Sequence, residues 1–80
     1  MDDAEVIRRI GALVEEEHEL ERSVGTGGPG DDAAHRLRDL EVALDQCWDL
    51  LRQRRARRET GRDPDEAQVR PPDVVERYQQ

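Results

Sequence analysis

The chain contains no phenylalanine and no lysine, and only one residue each of cysteine, serine, tryptophan, tyrosine and methionine among its 80 positions. With 34% hydrophobic and 2% aromatic residues, any core is thin, and a large enclosed substrate pocket is excluded. One thiol, Cys47, cannot form an intrachain disulfide, which suits a reducing compartment. No stretch approaches the roughly 18 apolar residues of a membrane span. The opening Met1-Asp2-Asp3-Ala4-Glu5 lacks the cationic flank and apolar stretch of a secretory signal, so the expected location is the cytoplasm, without membrane contact. A lone serine and the missing lysine leave no evident nucleophile and base pair, so no enzymatic activity and no cofactor are expected.

What is abundant is charge. Charged residues make up 41% of the chain, 20 acidic against 13 basic, for a net charge of −7. Its distribution is uneven: ten acidic against three basic residues up to Asp32, seven basic against four acidic from Ala33 to Arg58, and six acidic against three basic beyond. Such a chain is an anionic dipole of segments rather than a wrapper of nucleic acid.

The apolar residues are spaced for helices. Val6, Ile10, Leu13, Leu20 and Val24 follow the 4-3-7-4 pattern of a heptad seam, with Ile7 and Val14 widening the stripe. Asp2, Asp3 and Glu5 fall where a helix N-terminus favours anions, and the predicted helix covers about residues 3–24. Gly25-Thr26-Gly27-Gly28-Pro29-Gly30 then forces a turn over residues 25–31. With Asp31 or Asp32 as cap, a second helix over about 32–59 carries the seam Ala33, Leu37, Leu40, Leu44, Cys47, Leu51 and stops at Thr60-Gly61. In the remaining tail, residues 62–80, Asp63-Pro64-Asp65-Glu66 reads as a helix start that Arg70-Pro71-Pro72 interrupts. Residues 73–78 have room for one more turn, whose Val74, Val75 and Tyr78 share a face that docks on the hairpin or on a partner.

The predicted fold is thus all-α: an antiparallel, coiled-coil-like two-helix hairpin in residues 1–61 with a short, partly helical tail. In that register residue numbers on facing helices add up to about 57, which puts Leu13 beside Leu44, Ile10 beside Cys47 and Asp3 beside Arg54. The longer second helix overhangs at residues 55–58. Two helices leave each apolar stripe half exposed, so self-association into a homodimer or higher bundle is expected, covering Ile7, Val14, Ala34 and Trp48.

Several residues invite chemistry. Glu15 with His18, and Asp32 with His35, have the i, i+3 spacing of bundle metal ligands, but the seam register turns them away from the core, so no metal site is assigned. Glu17 sits at a seam position, where it bends to water or pairs with Arg36 or Arg38. Cys47, between Asp45 and Asp49, reads as a core thiol rather than a nucleophile. Trp48 flanks the seam as either the lid of the hairpin's own core or an anchor in an interface. Arg52, Arg54, Arg55, Arg57 and Arg58 form a cationic run without interleaved aromatics for stacking on bases, so ion pairing is favoured over RNA phosphates.

The segments Val14-Glu15-Glu16-Glu17-His18-Glu19-Leu20, Leu40-Glu41 through Leu44-Asp45-Gln46-Cys47-Trp48-Asp49-Leu50-Leu51-Arg52-Gln53-Arg54-Arg55-Ala56-Arg57-Arg58 and Asp63-Pro64-Asp65-Glu66-Ala67-Gln68-Val69-Arg70-Pro71 resemble short actinobacterial proteins grouped as domain of unknown function 2630. The resemblance implies a small cytosolic helical protein and carries no activity, ligand or partner to any residue.

The functional expectation is a non-enzymatic oligomerisation or adaptor module that presents Trp48, Arg52, Arg54, Arg55, Arg58, Val74, Val75 and Tyr78 to itself or to another protein. An alternative is an accessory factor bound to RNA or the ribosome through residues 52–58, and a weaker one is a metal-binding helical bundle.

Overall fold

The computed structural model describes residues 1–25 and 30–78, excepting the side chains of Val24, Asp31, Arg77 and Tyr78. Helix α1 covers Asp3–Gly25, α2 covers Gly30–Glu59, a 3₁₀ turn covers Pro64–Glu66 and α3 covers Pro72–Tyr78. Among the described residues there is no strand. The glycine-rich turn lies mostly at 26–29, outside the described residues.

The start of α1, the end of α2 and the 3₁₀ turn each have a local cause. Asp2 Oδ1 accepts from the Glu5 amide at 2.8 Å and Glu5 Oε1 accepts from the Asp2 amide at 3.4 Å, a reciprocal capping box that starts α1. α2 begins at Gly30, two residues earlier than expected, which draws Asp32 into its first turn, where the helix dipole favours an anion. It ends where Gly61 takes φ +75°, a conformation costly for a residue with a Cβ. The Arg62 amide then bonds Arg57 O at 2.7 Å and the Gly61 amide bonds Arg58 O at 3.2 Å, the paired bonds of a Schellman cap. Asp63 caps the 3₁₀ turn by accepting from the Asp65 amide at 2.9 Å.

The two long helices form an antiparallel hairpin: Asp3, at the start of α1, pairs with Arg54 near the end of α2, and Glu16 pairs with Arg36 close to the turn. Val6, Ile10 and Leu50 make the core cluster, flanked by Val14, Leu44, Cys47, Leu51 and Ala67. Leu13, Ala33 and Leu40 are also buried. Burying each large aliphatic side chain contributes about 1.5–3 kcal/mol.

The tail folds back along α2. Val75 is fully buried and Ala67 packs against the core, so α2 buries a second stripe, Gln46, Asp49, Leu50, Gln53 and Arg54, beside its seam toward α1. Two expectations are corrected here. Val75 faces the chain's own interior rather than a partner. Arg54 is only 4% exposed, because Asp3 and the 3₁₀ turn close over its guanidinium.

The molecule measures 50 × 25 × 15 Å along its principal axes. A single helix with its side chains is about 10–12 Å across, so a slab 15 Å thick is little more than one layer of helices. The tail covers one edge of the hairpin. The side carrying Ile7 and Trp48 stays open.

Candidate interaction surface

On that open side, Ile7 of α1 and Trp48 and Leu51 of α2 line a groove of about 540 Å³ rimmed by Asp3, Arg52, Arg55 and Arg58. Ile7 is 58% exposed and Trp48 48% exposed, both on helices rather than loops. They stand together because Ile7 is off the core direction of α1, one position past buried Val6, while Trp48 is one position past half-buried Cys47 on α2. Apolar groove and cationic rim therefore come from the same few turns.

The arginines do not act alike. Arg54 Nε donates to Asp3 Oδ1 at 2.5 Å, and its Nη1 donates to Pro64 O at 3.1 Å and Asp65 Oδ1 at 3.0 Å. These bonds to carboxylates hold the guanidinium in its charged form, above its ordinary pKa. Arg58 lies 2.8 Å from Asp3 Oδ2, and the hydrogen bonds from Arg58 and Arg54 hold the Asp3 carboxyl below the usual carboxylate range. Arg57 reaches Glu66 at 3.5 Å. Among the described residues, no carboxylate lies within ion-pair distance of Arg52 or Arg55, and both are exposed at the groove.

Opposite the groove, a polar latch holds the tail. Arg70 grips Asp49 with two donors, Nε to Oδ2 at 2.9 Å and Nη2 to Oδ1. Gln53 donates to Asp49 at 2.9 Å and to Gln68 O at 2.8 Å, and Gln46 donates to Arg70 O at 3.1 Å. The Arg70 bonds pull the Asp49 carboxyl below its ordinary range although burial opposes this, which is the expected balance when a buried carboxylate has bidentate partners. Neither Asp49 nor Arg70 stood out from the sequence.

The other sequence candidates are dispersed. Val74 is half-buried in α3, and the Tyr78 side chain lies outside the described residues. Glu15 and His18 are exposed around a shallow dip with Glu19 and Arg22. His35 Nδ1 lies 2.7 Å from Arg38 Nη2. Arg36 pairs with Glu16 at 2.6 Å, not with Glu17. Among the described residues, no three metal-ligating side chains are grouped to hold an ion. Cys47 is half-buried between the helices, where burial pushes its thiol pKa up. None of the helices is long and apolar enough to cross a membrane.

Residues 2–80 match the model of the family described as protein of unknown function (DUF2630). The chain belongs to that family. It is 52% identical over 77 residues to the uncharacterized protein Rv0898c of Mycobacterium tuberculosis (strain ATCC 25618 / H37Rv), covering 95% of this chain and 88% of the relative. The uncharacterized protein Mb0922c of Mycobacterium bovis shows the same identity and coverage. No solved structure matches. The aligned stretch with these mycobacterial relatives takes in 77 residues, 95% of this DUF2630 chain.

Proposed function

We propose that this DUF2630 chain is a non-enzymatic protein–protein interaction module, whose binding surface is the groove formed by Ile7, Trp48 and Leu51. The observation that carries the reading is the pairing of Ile7 at 58% and Trp48 at 48% exposure on adjacent helices of a thin slab. An aromatic beside an aliphatic residue, rimmed by arginine, has the composition of an interface hot spot. Nucleic-acid binding through residues 52–58 is less well supported, since within that run Arg54, Arg57 and Arg58 already hold carboxylates and, among the described residues, leave Arg52 and Arg55 for phosphates.

A photo-crosslinking residue placed at Trp48 in native cells tests the reading, with the same residue at exposed Glu19 as control. The expected result is a discrete adduct from position 48 that disappears when Ile7→Asp is added. Equal labelling from positions 48 and 19 would contradict it.

A further inference from the structure

The groove is the centre of a longer stripe. On α2, Glu41, Leu44, Trp48, Leu51 and Arg55 follow one another at spacings of 3, 4, 3 and 4, which aligns them along one side of the helix. Leu44 and Leu51 are half-buried, while Glu41, Trp48 and Arg55 are exposed. The stripe reads the same from either end except for the sign of its charge: an acid two turns before Trp48, a leucine about one turn on each side, and a base two turns after. A surface with a hydrophobic centre and opposite charges at equal distances is complementary to itself when one copy is turned end for end.

α1 adds a second observation on the same side. Gly11 lies one turn from Ile7 in mid-helix, where glycine costs about 1 kcal/mol relative to alanine. Nothing lies within 4 Å of where its Cβ would stand, so the chain's own packing does not require glycine. The Asp3–Arg54 bond sets the register of the hairpin, and by it Trp48 is level with position 9 of α1, midway between Ile7 and Gly11. A two-fold axis through Trp48 therefore brings Ile7 of one copy level with Gly11 of the other, a large side chain over a missing one.

We infer that the occupant of the Ile7/Trp48 groove is a second copy of this chain, packed antiparallel about a two-fold axis at Trp48, with Glu41 of each copy level with Arg55 of the other. The inference rests on the interaction reading above and names its partner. In this geometry α2 faces α2 and α1 faces α1, giving four helices in two layers, and each otherwise free Arg55 gains a carboxylate. A dimer turned about an axis parallel to the helices instead sets α1 against α2 and places Glu15 level with residue 42, next to Glu41, bringing like charges together.

Sedimentation equilibrium of the purified full chain, from micromolar to millimolar concentration, tests this with Trp48→Ala, Glu41→Arg, Arg55→Glu and an equimolar mixture of the two charge reversals. The expected result is a wild-type dimer, loss of association in Trp48→Ala, and about tenfold weaker association for each reversal alone. The mixture should recover wild-type strength or better, because every 41–55 contact between the two variants is then an opposite-charge pair. Recovery also shows that both variants are folded. A wild-type monomer throughout, a dimer indifferent to Trp48→Ala, or reversals whose mixture does not recover would each overturn the inference. A purified monomer whose position 48 still crosslinks in cells leaves the interaction reading standing and removes only the second copy; failure of both experiments removes both.

Discussion

Arg54 and Asp3, 51 positions apart in sequence, are joined by a 2.5 Å hydrogen bond that ties the first turn of α1 to the far end of α2. The same guanidinium bonds Pro64 O and Asp65. One side chain thus fixes three segments, and it is 4% exposed.

Arg54→Ala is expected to destabilise the fold by about 2–4 kcal/mol, because it removes packing, leaves the Pro64 carbonyl without its side-chain donor and leaves Asp3 to Arg58 alone. Arg54→Lys should recover little of this, since one ammonium cannot reproduce the fork that reaches Asp3 from Nε and Pro64 from Nη1. Urea denaturation followed by circular dichroism gives both values. Equal stability of Arg54→Lys and wild type would contradict the role of the fork.

The tail latch should respond asymmetrically to mutation. Asp49 is 1% exposed whereas the Arg70 side chain is 33% exposed. Arg70→Ala strands a buried carboxylate and is expected to cost about 2–4 kcal/mol; Asp49→Asn leaves an arginine able to turn to water and should cost roughly half as much. Hydrogen exchange of α3 amides, accelerated more by the first substitution than by the second, is the readout.

Acid should weaken the fold from a defined side. The carboxyls of Asp3 and Asp49 are both held below their ordinary value of 3.8 in the folded chain, so the unfolded chain binds protons first as pH falls. Their contribution is complete above that value and is lost as pH drops through the lowered folded values. Stability is expected to be flat with pH in the window just above the ordinary carboxylate range and to decline below it. The decline should be shallower in Asp49→Asn. Urea midpoints measured across that acid window check the slope, and a steep loss well above pH 4 would count against these two groups as its source.

Gly11→Ala should stabilise the isolated chain by about 0.5–1 kcal/mol, because the position is helical, exposed and open around a Cβ. Thermal unfolding under dilute conditions measures it. A lower melting temperature at high dilution would mean that something within the single chain needs the glycine.

Much of the hairpin could be read from residue spacing. The apolar periods place α1 and α2, Thr60-Gly61 marks the end of α2, and the register anticipates the Asp3–Arg54 pair. The capping box of Asp2 and Glu5 is written in the sequence as an Asp-x-x-Glu pattern, a more specific signal than the favour a helix dipole gives to acids in its first turn. The tail side was not legible. Asp49, Gln46 and Gln53 are polar and nothing in their spacing calls for burial, and only the return of residues 64–75 along α2 turns that face inward and closes over Arg54 as well. Leu50 stands outside the 4-3-4-3-4 spacing, yet it packs with Val6 and Ile10 of α1 next to Ala67 of the tail, where the two buried sides of α2 meet. Ile7 flanks the α1 stripe in the sequence, and its place beside Trp48 follows from the register of two helices rather than from either one.

The most direct measurement uses Trp48 itself, the chain's single tryptophan, as its own reporter. Its fluorescence emission should lie at water-like wavelengths at high dilution and shift to the blue as protein concentration rises, with Glu41→Arg moving the transition to higher concentration. An emission maximum that stays at one wavelength from the most dilute to the most concentrated sample would contradict a surface that is open in one copy and covered by a second.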